Sequence, residues 1–306
     1  MDKKILIVDD LHPILLDLLK SYFVLDYRPT IGLEEAASII MDYNGLIIRS
    51  KFNVSHEFLE KAQNLEFIAR AGAGIDNIDE KAIIKTRVKI LNASEANRDA
   101  VAEHALGLLL SLLNNINTSN TQVKDGKWIR EGNRGYELNN KTVGIIGYGN
   151  TGSSFAKLLR DFNVKILAHD KYKTKFGNGY VNESSLQELL KESDIISLHI
   201  PLTEETKYYA DNNFFSSLDK PIWFLNTSRG KIVNISALLK AMKAKKILGA
   251  ALDVLEQEPP RDADWFNDLV NNDKVLLTPH IAGWTYESYK KISIVLANKI
   301  KELYGL

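Results

Sequence analysis

Short apolar runs alternate along the chain with stretches in which apolar side chains recur every three or four positions. The runs predict buried strands, and the spaced pattern predicts amphipathic helices. Strands that alternate with helices are typical of parallel sheets covered by helices on both faces. In the first segment we predict strands at 4–8, 45–49, 66–70 and 88–91, and helices at 14–23, 33–41, 55–62 and 80–85.

A leucine-rich stretch in the middle of the chain predicts one long helix over residues 98–116. The polar segment 92–97 precedes this helix, and we interpret it as the first crossing between two domains. Residues 124–138 contain three glycines and the aromatic side chains of Trp128 and Tyr136, which disfavours a regular helix. We therefore expect an extended arm that lies on another surface, such as a second subunit.

The same alternation continues to the end of the chain. We predict strands at 194–198, 222–225, 249–252 and 274–277, and helices at 185–191, 212–217, 236–244 and 286–303. The last helix follows the completed sheet, so we expect it to return to the first domain. The predicted fold is α/β, with two doubly wound parallel-sheet domains and a cleft between them. One is a flavodoxin-like domain of residues 1–94 and 285–306, and the other is a Rossmann domain of residues 95–284.

Two acids, Asp9 and Asp10, follow the first predicted strand. Such a pair resembles the start of a phosphoreceiver domain, but the rest of the first segment lacks the matching pattern. We interpret both residues as part of a loop at the end of the strand.

A glycine-rich turn follows the arm, and the rest of the second domain is organised around it. An apolar strand at 142–146 runs into Gly147-Tyr-Gly149-Asn-Thr-Gly152, a helix follows, and a second strand ends on Asp170. In a dinucleotide-binding unit these glycines allow the tight turn, the approach of backbone to a pyrophosphate, and close packing of helix on strand. Asp170 would accept hydrogen bonds from ribose hydroxyls and repel a 2′-phosphate, which favours NAD over NADP. The alternative is a glycine-bearing turn in some other α/β sheet.

Composition narrows the class of protein. The 306 residues include 39 basic and 39 acidic side chains, so the formal net charge is zero, which argues against a broad surface for nucleic acid or anionic membrane. The chain has no cysteine and hence neither a thiolate metal site nor a cysteine nucleophile. Its longest apolar run, 106–113, is too short to span a bilayer. We expect a cytoplasmic enzyme with a small-molecule substrate.

Candidate acid–base chemistry lies beyond the glycine turn, at the ends of predicted strands. Arg229 follows strand 222–225 and His280 follows strand 274–277, and ligands gather at the carboxyl ends of strands in open α/β sheets. A histidine can donate the proton that reduction of a carbonyl needs, and an arginine can orient an acid substrate. Glu258 would orient the imidazole and favour its protonated form if it contacts His280. Taken singly, each residue has an ordinary structural alternative. His280 could be a surface histidine or a core histidine with its hydrogen bonds satisfied, Arg229 a residue of a turn, and Glu258 a solvated carboxylate of a loop.

Several motifs together resemble the D-isomer-specific 2-hydroxyacid dehydrogenases, and among them the phosphoglycerate dehydrogenases. These motifs occur in the order found in that family, and they lie at residues 70–79, 92–104, 142–152, 226–230, 250–254, 257–259 and 278–281. Trp284 departs from the pattern, because the family usually has a small residue at this position. The resemblance also implies a homodimer, formed through the long helix and the arm.

By this resemblance, His280 is the acid–base, Glu258 its partner, and Arg229 the residue that holds the substrate carboxylate or keto oxygen. The implied NAD contacts are Gly147, Gly149, Asn150, Thr151, Gly152, Asp170, His199, Pro201, Thr227, Ser228, Asp253, Ala282 and Gly283. The implied substrate contacts are Arg49, Ser50, Arg70, Ala73 and Gly74.

The expected reaction is NAD-dependent oxidation of 3-phospho-D-glycerate to 3-phosphohydroxypyruvate, which begins L-serine synthesis. Arg49 and Lys51 motivate the choice of a phosphorylated substrate. They lie in a segment that resembles the phosphate side of the phosphoglycerate dehydrogenases, and a phosphate needs such cations. An alternative is a glyoxylate or hydroxypyruvate reductase on the same scaffold. From a different class, the chain resembles NADH-sensing corepressors that act through protein partners.

Overall fold

The computed structural model describes residues 3–260 and 263–306. Within them the chain divides into two compact units. The first unit takes the residues up to Asn97 together with Trp284–Leu306, and the second takes Arg98–Gly283.

The strands of both units are short and mostly apolar. In chain order they are β1 (Lys4–Ile7), β2 (Val24–Tyr27), β3 (Gly45–Ile48), β4 (Phe67–Arg70), β5 (Lys89–Asn92), β6 (Thr142–Ile146), β7 (Lys165–His169), β8 (Asn182–Glu183), β9 (Ile195–Leu198), β10 (Ile222–Asn226), β11 (Ile247–Leu252) and β12 (Val275–Leu277).

The α-helices between them are amphipathic or buried. In chain order they are α1 (Ile14–Leu19), α2 (Leu33–Ile39), α3 (His56–Lys61), α4 (Glu80–Ile83), α5 (Arg98–Leu113), α6 (Ile116–Lys124), α7 (Asn150–Leu159), α8 (Leu186–Glu192), α9 (Asn212–Ser216), α10 (Ile235–Lys243), α11 (Phe266–Val270) and α12 (Tyr286–Leu303).

The sheet of the first unit is parallel throughout, in the order β2-β1-β3-β4-β5. Successive side chains of β1 enter different cores: Ile5 and Ile7 pack with apolar residues of α1 and α12, whereas Leu6 packs with those of α2 and α3. Both faces are therefore buried, as a parallel sheet requires. This strand order is the flavodoxin-like one, and it reverses between β1 and β3, where ligands of such sheets bind.

The sheet of the second unit is also parallel, in the order β12-β11-β10-β9-β6-β7-β8. From β6 the chain builds outward through β7 and β8, then crosses back to place β9 on the other side of β6. The order therefore reverses between β6 and β9, and the carboxyl ends of these two strands are the expected ligand site. The two parallel, doubly wound sheets confirm the predicted fold class.

Some element predictions are wrong in detail. The predicted helix 98–116 ends at Leu113, because Asn115 adopts a left-handed conformation with φ of 51°, and α6 begins after it. Asparagine tolerates this conformation better than most residues do. The exposed edge strand β2 and the short elements β8 and α11 were not predicted. Residues 125–138 hold one 3-10 turn, Glu131–Asn133, and no α-helix or strand.

No helix in the described ranges combines the length and the apolar character needed to cross a membrane.

Candidate active site

The glycine turn lies at the carboxyl end of β6, at the reversal point of the second sheet. Gly147 has a φ of +94°, and a Cβ there would lie 2.5 Å from the carbonyl oxygen of His199. A Cβ on Gly152 would lie 2.1 Å from the carbonyl oxygen of Gly147. A side chain at Gly152 would separate α7 from the turn, and a side chain at Gly147 would clash with the backbone that follows β9. A Cβ on Gly149 would meet no atom within 4 Å, so its backbone borders open space.

Helix α7 begins directly at this turn, with Gly149 as its N-cap and no side chain capping it. The first amides of an α-helix have no partner within the helix, and they carry the positive end of its dipole. Asn150 and Thr151 lie in this first turn. An open helix start of this kind suits the pyrophosphate of a dinucleotide.

Asp170 follows β7 and binds the backbone of the turn. Its carboxylate accepts hydrogen bonds from the amides of Tyr148 at 2.8 Å and of Tyr172 and Lys173 at 3.0 Å each. Burial alone would raise its pKa, but these three bonds and the charge of Lys173 outweigh burial and hold the pKa of Asp170 below its usual value. An ionised carboxylate offers about four acceptor positions, so one remains for a ribose hydroxyl. The role of Asp170 in holding the turn was missed from the sequence.

His199, at the end of β9, is a buried histidine at this reversal point. Burial lowers its pKa to about 4, so the ring is neutral at pH 7. Its Nε2 lies 2.9 Å from the hydroxyl of Ser197, while its Nδ1 has no hydrogen-bond partner among the described residues. The buried hydroxyl of Thr227, just after β10, also lacks one within those residues. Leaving buried polar atoms unpaired is costly, so both atoms fit contact with a bound dinucleotide.

Two other predicted cofactor contacts use their polar atoms within the chain. The hydroxyl of Ser228 donates to the carbonyl of Leu198 at 2.7 Å, which ties the end of β10 to the end of β9. The carbonyl of the exposed Pro201 accepts from the hydroxyl of Thr206 at 2.6 Å and closes the loop after β9.

The structure brings Glu258 and His280 into direct contact. Nδ1 of His280 lies 2.6 Å from one oxygen of Glu258, whose other oxygen accepts the amide of Leu255 at 3.0 Å. Burial acts to raise the pKa of Glu258, but His280, the Leu255 amide and the charge of Arg229 together hold it below its usual value. Because an ionised carboxylate only accepts, Nδ1 carries a hydrogen and Nε2 is left to exchange a proton.

Arg229 lies on the segment that follows β10. Its guanidinium donates to the carbonyl of Ser228 at 2.7 Å. The next residue, Gly230, has no room for a side chain, because a Cβ there would lie 1.8 Å from the carbonyl oxygen of Leu255. The segment carrying Arg229 therefore passes directly against the loop that leads to Glu258.

Asp253, at the end of β11, organises the backbone around His280. Its carboxylate accepts the amides of Ile281 and Ala282 at 2.9 Å each, and its carbonyl accepts the amide of His280 at 2.7 Å. His280 itself has a left-handed φ of 57°, which is uncommon for a residue other than glycine. The predicted contacts Ala282 and Gly283 follow it on the same loop.

In the first unit, the predicted substrate contacts lie at the ends of β3 and β4. The amide of Arg49 donates to Asp9 at 2.6 Å, and its guanidinium lies 3.5 Å from the ring centre of Trp284. The Arg49 guanidinium has no hydrogen bond or ion pair within the described ranges. Burial lowers its pKa, although Asp9, Tyr289 and Asp10 act in the opposite direction. Ser50 is exposed beside it.

The loop after β4 carries Arg70, Ala73 and Gly74. A Cβ on Gly72 would lie 1.9 Å from Nη1 of Arg70, so the guanidinium lies directly against this glycine. The carbonyl of Ala73 accepts from Asn92 at 2.9 Å. The amides of Ala73 and Gly74 donate no hydrogen bond to any described residue, so both are available to an anion.

Two contributors in this unit were not assigned from the sequence, namely Asp9 as the acceptor that fixes Arg49 and Trp284 as the ring beneath its guanidinium. The sequence did carry a signal for Asp9, because it is an acid directly after the first strand, and the first strand neighbours the strand that ends before Arg49. No sequence signal pairs Trp284 with a residue 235 positions away.

Comparison with known proteins identifies the family. Residues 106–282 match the model of the D-isomer specific 2-hydroxyacid dehydrogenase, NAD binding domain. The chain is 38% identical over 275 residues to a hydroxypyruvate reductase of Thermotoga maritima, covering 89% of both chains. It is 35% identical over 303 residues to a D-3-phosphoglycerate dehydrogenase of Methanocaldococcus jannaschii, covering 98% of this chain and 57% of that protein. It thus spans little more than half of that longer relative.

A solved D-lactate dehydrogenase of Aquifex aeolicus, complexed with NAD and lactic acid, has a TM-score of 0.85 at 27% identity, covering 99% of this chain and 96% of that one. The chain belongs to the D-isomer-specific 2-hydroxyacid dehydrogenases, as the sequence motifs indicated, and NAD is the cofactor of its matched domain.

Proposed function

We propose that this member of the D-2-hydroxyacid dehydrogenases oxidises 3-phospho-D-glycerate to 3-phosphohydroxypyruvate with NAD. The observation that carries the choice of substrate is the guanidinium of Arg49, which is stacked on Trp284 and has no acceptor in the described chain. Stacking leaves the edge of a guanidinium open, and that edge matches the geometry of a phosphate.

The residues of the second unit fit NAD at the reversal point of the sheet. The start of α7 after Gly149 would hold the pyrophosphate, Asp170 a ribose hydroxyl, and His199 and Thr227 the remaining polar groups. Bound NAD supplies the acceptor for the hydride that leaves C2 of the substrate.

We assign the proton transfer to His280. During oxidation, Nε2 of His280 takes the proton of the substrate hydroxyl, and in the reverse direction it returns that proton to the keto oxygen. Glu258, bonded to Nδ1, orients the ring and balances the charge of the imidazolium. Arg229 contributes a positive charge that stabilises the negative charge developing on the substrate oxygen.

The first unit would hold the acid groups of the substrate. The amides of Ala73 and Gly74, with Arg70 beside them, suit a carboxylate. Arg49 then takes the phosphate. Lys51 donates to the carbonyl of Pro29, so Arg49 is the cation that we assign to this group.

Hydroxypyruvate reduction is the second candidate, and a specific observation favours it. The relative named hydroxypyruvate reductase is 38% identical over nearly the whole of both chains, whereas the D-3-phosphoglycerate dehydrogenase is 35% identical and much longer. Hydroxypyruvate carries a hydroxyl where the other substrate carries a phosphate, so it does not require Arg49.

A substrate panel tests the proposal. The loss of NADH is followed with 3-phosphohydroxypyruvate, hydroxypyruvate and glyoxylate, for the native protein, Arg49→Ala and the charge-retaining Arg49→Lys. A lost charged hydrogen bond of about 1.5–3 kcal/mol predicts that Arg49→Ala raises KM for the phosphorylated substrate about 10- to 100-fold. The KM of Arg49→Lys for this substrate should lie between those of the native protein and Arg49→Ala. Absence of turnover with 3-phosphohydroxypyruvate, or equal KM values in all three proteins, rejects the phosphorylated substrate.

The assembly and setting of the enzyme are part of the same proposal. A single chain leaves Trp128, Ile129 and Tyr136 of the arm exposed, together with Ile116 and Val123 of α6. Burial of these side chains in a homodimer accounts for their apolar character. We place the reaction in the cytoplasm, at the entry to serine synthesis. Light scattering of the native protein and of Trp128→Ser tests the dimer, since a monomeric native protein rejects it.

A further inference from the structure

The acid–base residue His280 is held by a loop whose geometry depends on Asp253, and Asp253 in turn lies at the end of a chain of hydrogen bonds that begins on α5. Its first member is His104, which lies nearly two turns inside α5. Nε2 of His104 lies 3.0 Å from the hydroxyl of Thr278, and that hydroxyl lies 2.6 Å from Oδ1 of Asp253. The function proposed for Asp253 concerns the cofactor, and neither Thr278 nor His104 has a role in it.

The direction of these bonds follows from the chemistry of their ends. Asp253 is 1% exposed, and an ionised carboxylate can only accept. The single hydrogen of the Thr278 hydroxyl therefore points to Asp253, and its oxygen must accept from Nε2–H of His104. His104 fixes the rotation of the hydroxyl, and the hydroxyl fixes one oxygen of Asp253.

The carboxylate passes this constraint to the backbone beside His280. Oδ1, which accepts from Thr278, also accepts the amide of Ile281, and Oδ2 accepts the amide of Ala282. These hydrogen bonds hold Thr278 and Ile281 on either side of Pro279 and His280. His280 has the left-handed conformation. A conformation of this kind persists only where its surroundings determine it.

The buried charge of Asp253 also depends on the same partners. No lysine or arginine forms an ion pair with it in the described part of the chain, and His104 is the ionisable group within ion-pair distance, 3.5 Å from Oδ1. A buried carboxylate is tolerated when hydrogen bonds and a partner satisfy it. Removing the hydroxyl of Thr278 leaves one oxygen of Asp253 short of a donor and free to shift.

We propose that His104 and Thr278 are positioning residues for catalysis, which act through Asp253 to fix the backbone and ring orientation of His280. This inference rests on the proposed role of His280 as the acid–base. A displacement of about 1 Å at a catalytic group can cost about 100-fold in rate. Loss of the hydrogen bonds from His104 through Thr278 to Asp253 should therefore lower kcat.

The test compares Thr278→Val with Thr278→Ser. Valine keeps the shape of threonine and removes the hydroxyl, whereas serine keeps the hydroxyl. We expect the valine variant to lose about 10- to 100-fold in kcat, measured at saturating NAD, and serine to restore most of the rate. A second pair, His104→Leu and His104→Gln, covers the case in which valine disturbs folding. Ser111→Ala, on the same groove of α5 as His104, is the control with unchanged kcat.

A second readout needs no substrate. The imidazole nitrogen and carbon-bound proton signals of the six histidines are assigned by NMR with single substitutions. We expect the His280 signals to shift and broaden in Thr278→Val and to stay near their native positions in Thr278→Ser and Ser111→Ala. Unchanged His280 signals and unchanged kcat in both Thr278→Val and His104→Leu overturn the inference. Shifted signals in a protein that turns over no 2-keto acid would show that Thr278 positions the ring of His280, and would reject the proposed function instead.

Discussion

Each unit has a point where its strand order reverses, and different chemical groups line the two points. In the second unit the point between β6 and β9 is defined by backbone: Gly147 and Gly152 admit no Cβ, and the start of α7 offers amides. In the first unit the point between β1 and β3 is defined by side chains, namely Asp9, Arg49 and Trp284. In the proposed function the pyrophosphate of NAD is held by backbone amides, whereas the phosphate of the substrate is held by a side chain, which a substitution can change.

The largest expected effect separates chemistry from cofactor binding in the second unit. His280→Asn removes the proton-transfer group, so we expect kcat to fall about 10²- to 10⁴-fold, the usual worth of general acid–base catalysis. The Kd for NAD, measured by titration calorimetry, should change little. His56→Asn, an exposed histidine with a single ion-pair contact to Glu60, is the control with native kcat. A parallel loss of NAD affinity in His280→Asn would contradict the assignment.

The next effect concerns the buried His199 and depends on pH. Its pKa is about 4 in the folded protein and 6.5 ordinarily. Between these values the unfolded chain binds the proton and the folded chain does not, so stability falls as pH decreases from 6.5 to 4. A shift of this size corresponds to about 3 kcal/mol.

Urea unfolding of the protein without NAD at pH 7.5 and 4.5 measures this effect. We expect His199→Gln to lose less stability than the native protein over this interval, whereas the exposed His56→Asn should lose as much as the native protein. Equal losses in all three proteins would contradict the buried neutral state of His199.

A glycine substitution tests whether backbone defines the second unit's site. In Gly152→Ala the new methyl would lie 2.1 Å from the Gly147 carbonyl oxygen. Overpacking of this kind costs about 1–3 kcal/mol, and we expect weaker NAD binding because α7 must move. The matched control is Gly107→Ala in α5, where a Cβ meets nothing within 4 Å and alanine should stabilise by about 0.5–1 kcal/mol. Both variants are measured by thermal unfolding and by titration with NAD. A native unfolding temperature and a native Kd for NAD in Gly152→Ala would show that the turn tolerates a side chain.

The smallest effect concerns the choice of cofactor. Asp170→Ala removes the acceptor of three amides and the charge that repels a 2′-phosphate. We expect the preference for NAD over NADP to relax about tenfold, or about 1.4 kcal/mol. Asp161→Ala, an exposed acid on the same unit, is the control. Equal use of both cofactors by the native protein would contradict the role of Asp170.

The same contrast explains what could be predicted from the sequence. Gly147, Gly152 and Asp170 were predictable because a dinucleotide imposes fixed demands on a strand, a turn and a helix that are adjacent in the chain. The sheets were predictable because apolar runs of four to six residues recur between amphipathic stretches. The edge strand β2 was missed because its exposed position needs no apolar run.

Contacts between distant residues were not predictable. Trp284 and Arg49 meet because α12 returns to the first unit, and His104 meets Thr278 because α5 packs beside β12. A side-chain pair so far apart in the sequence leaves no periodic signal. The break at Asn115 was missed for a local reason, since asparagine is compatible with both a helix and a left-handed turn.

In the proposed reaction the chain transfers a hydride from C2 of 3-phospho-D-glycerate to NAD. The most direct measurement incubates the native protein and NAD with 3-phospho-D-glycerate carrying deuterium at C2, and then determines the deuterium in NADH by mass spectrometry. We predict one deuterium per NADH with the D-isomer and no NADH with the L-isomer. Two results would contradict the proposed reaction. One is NADH that carries no deuterium, and the other is a protein that reduces hydroxypyruvate but forms no NADH from the D-isomer.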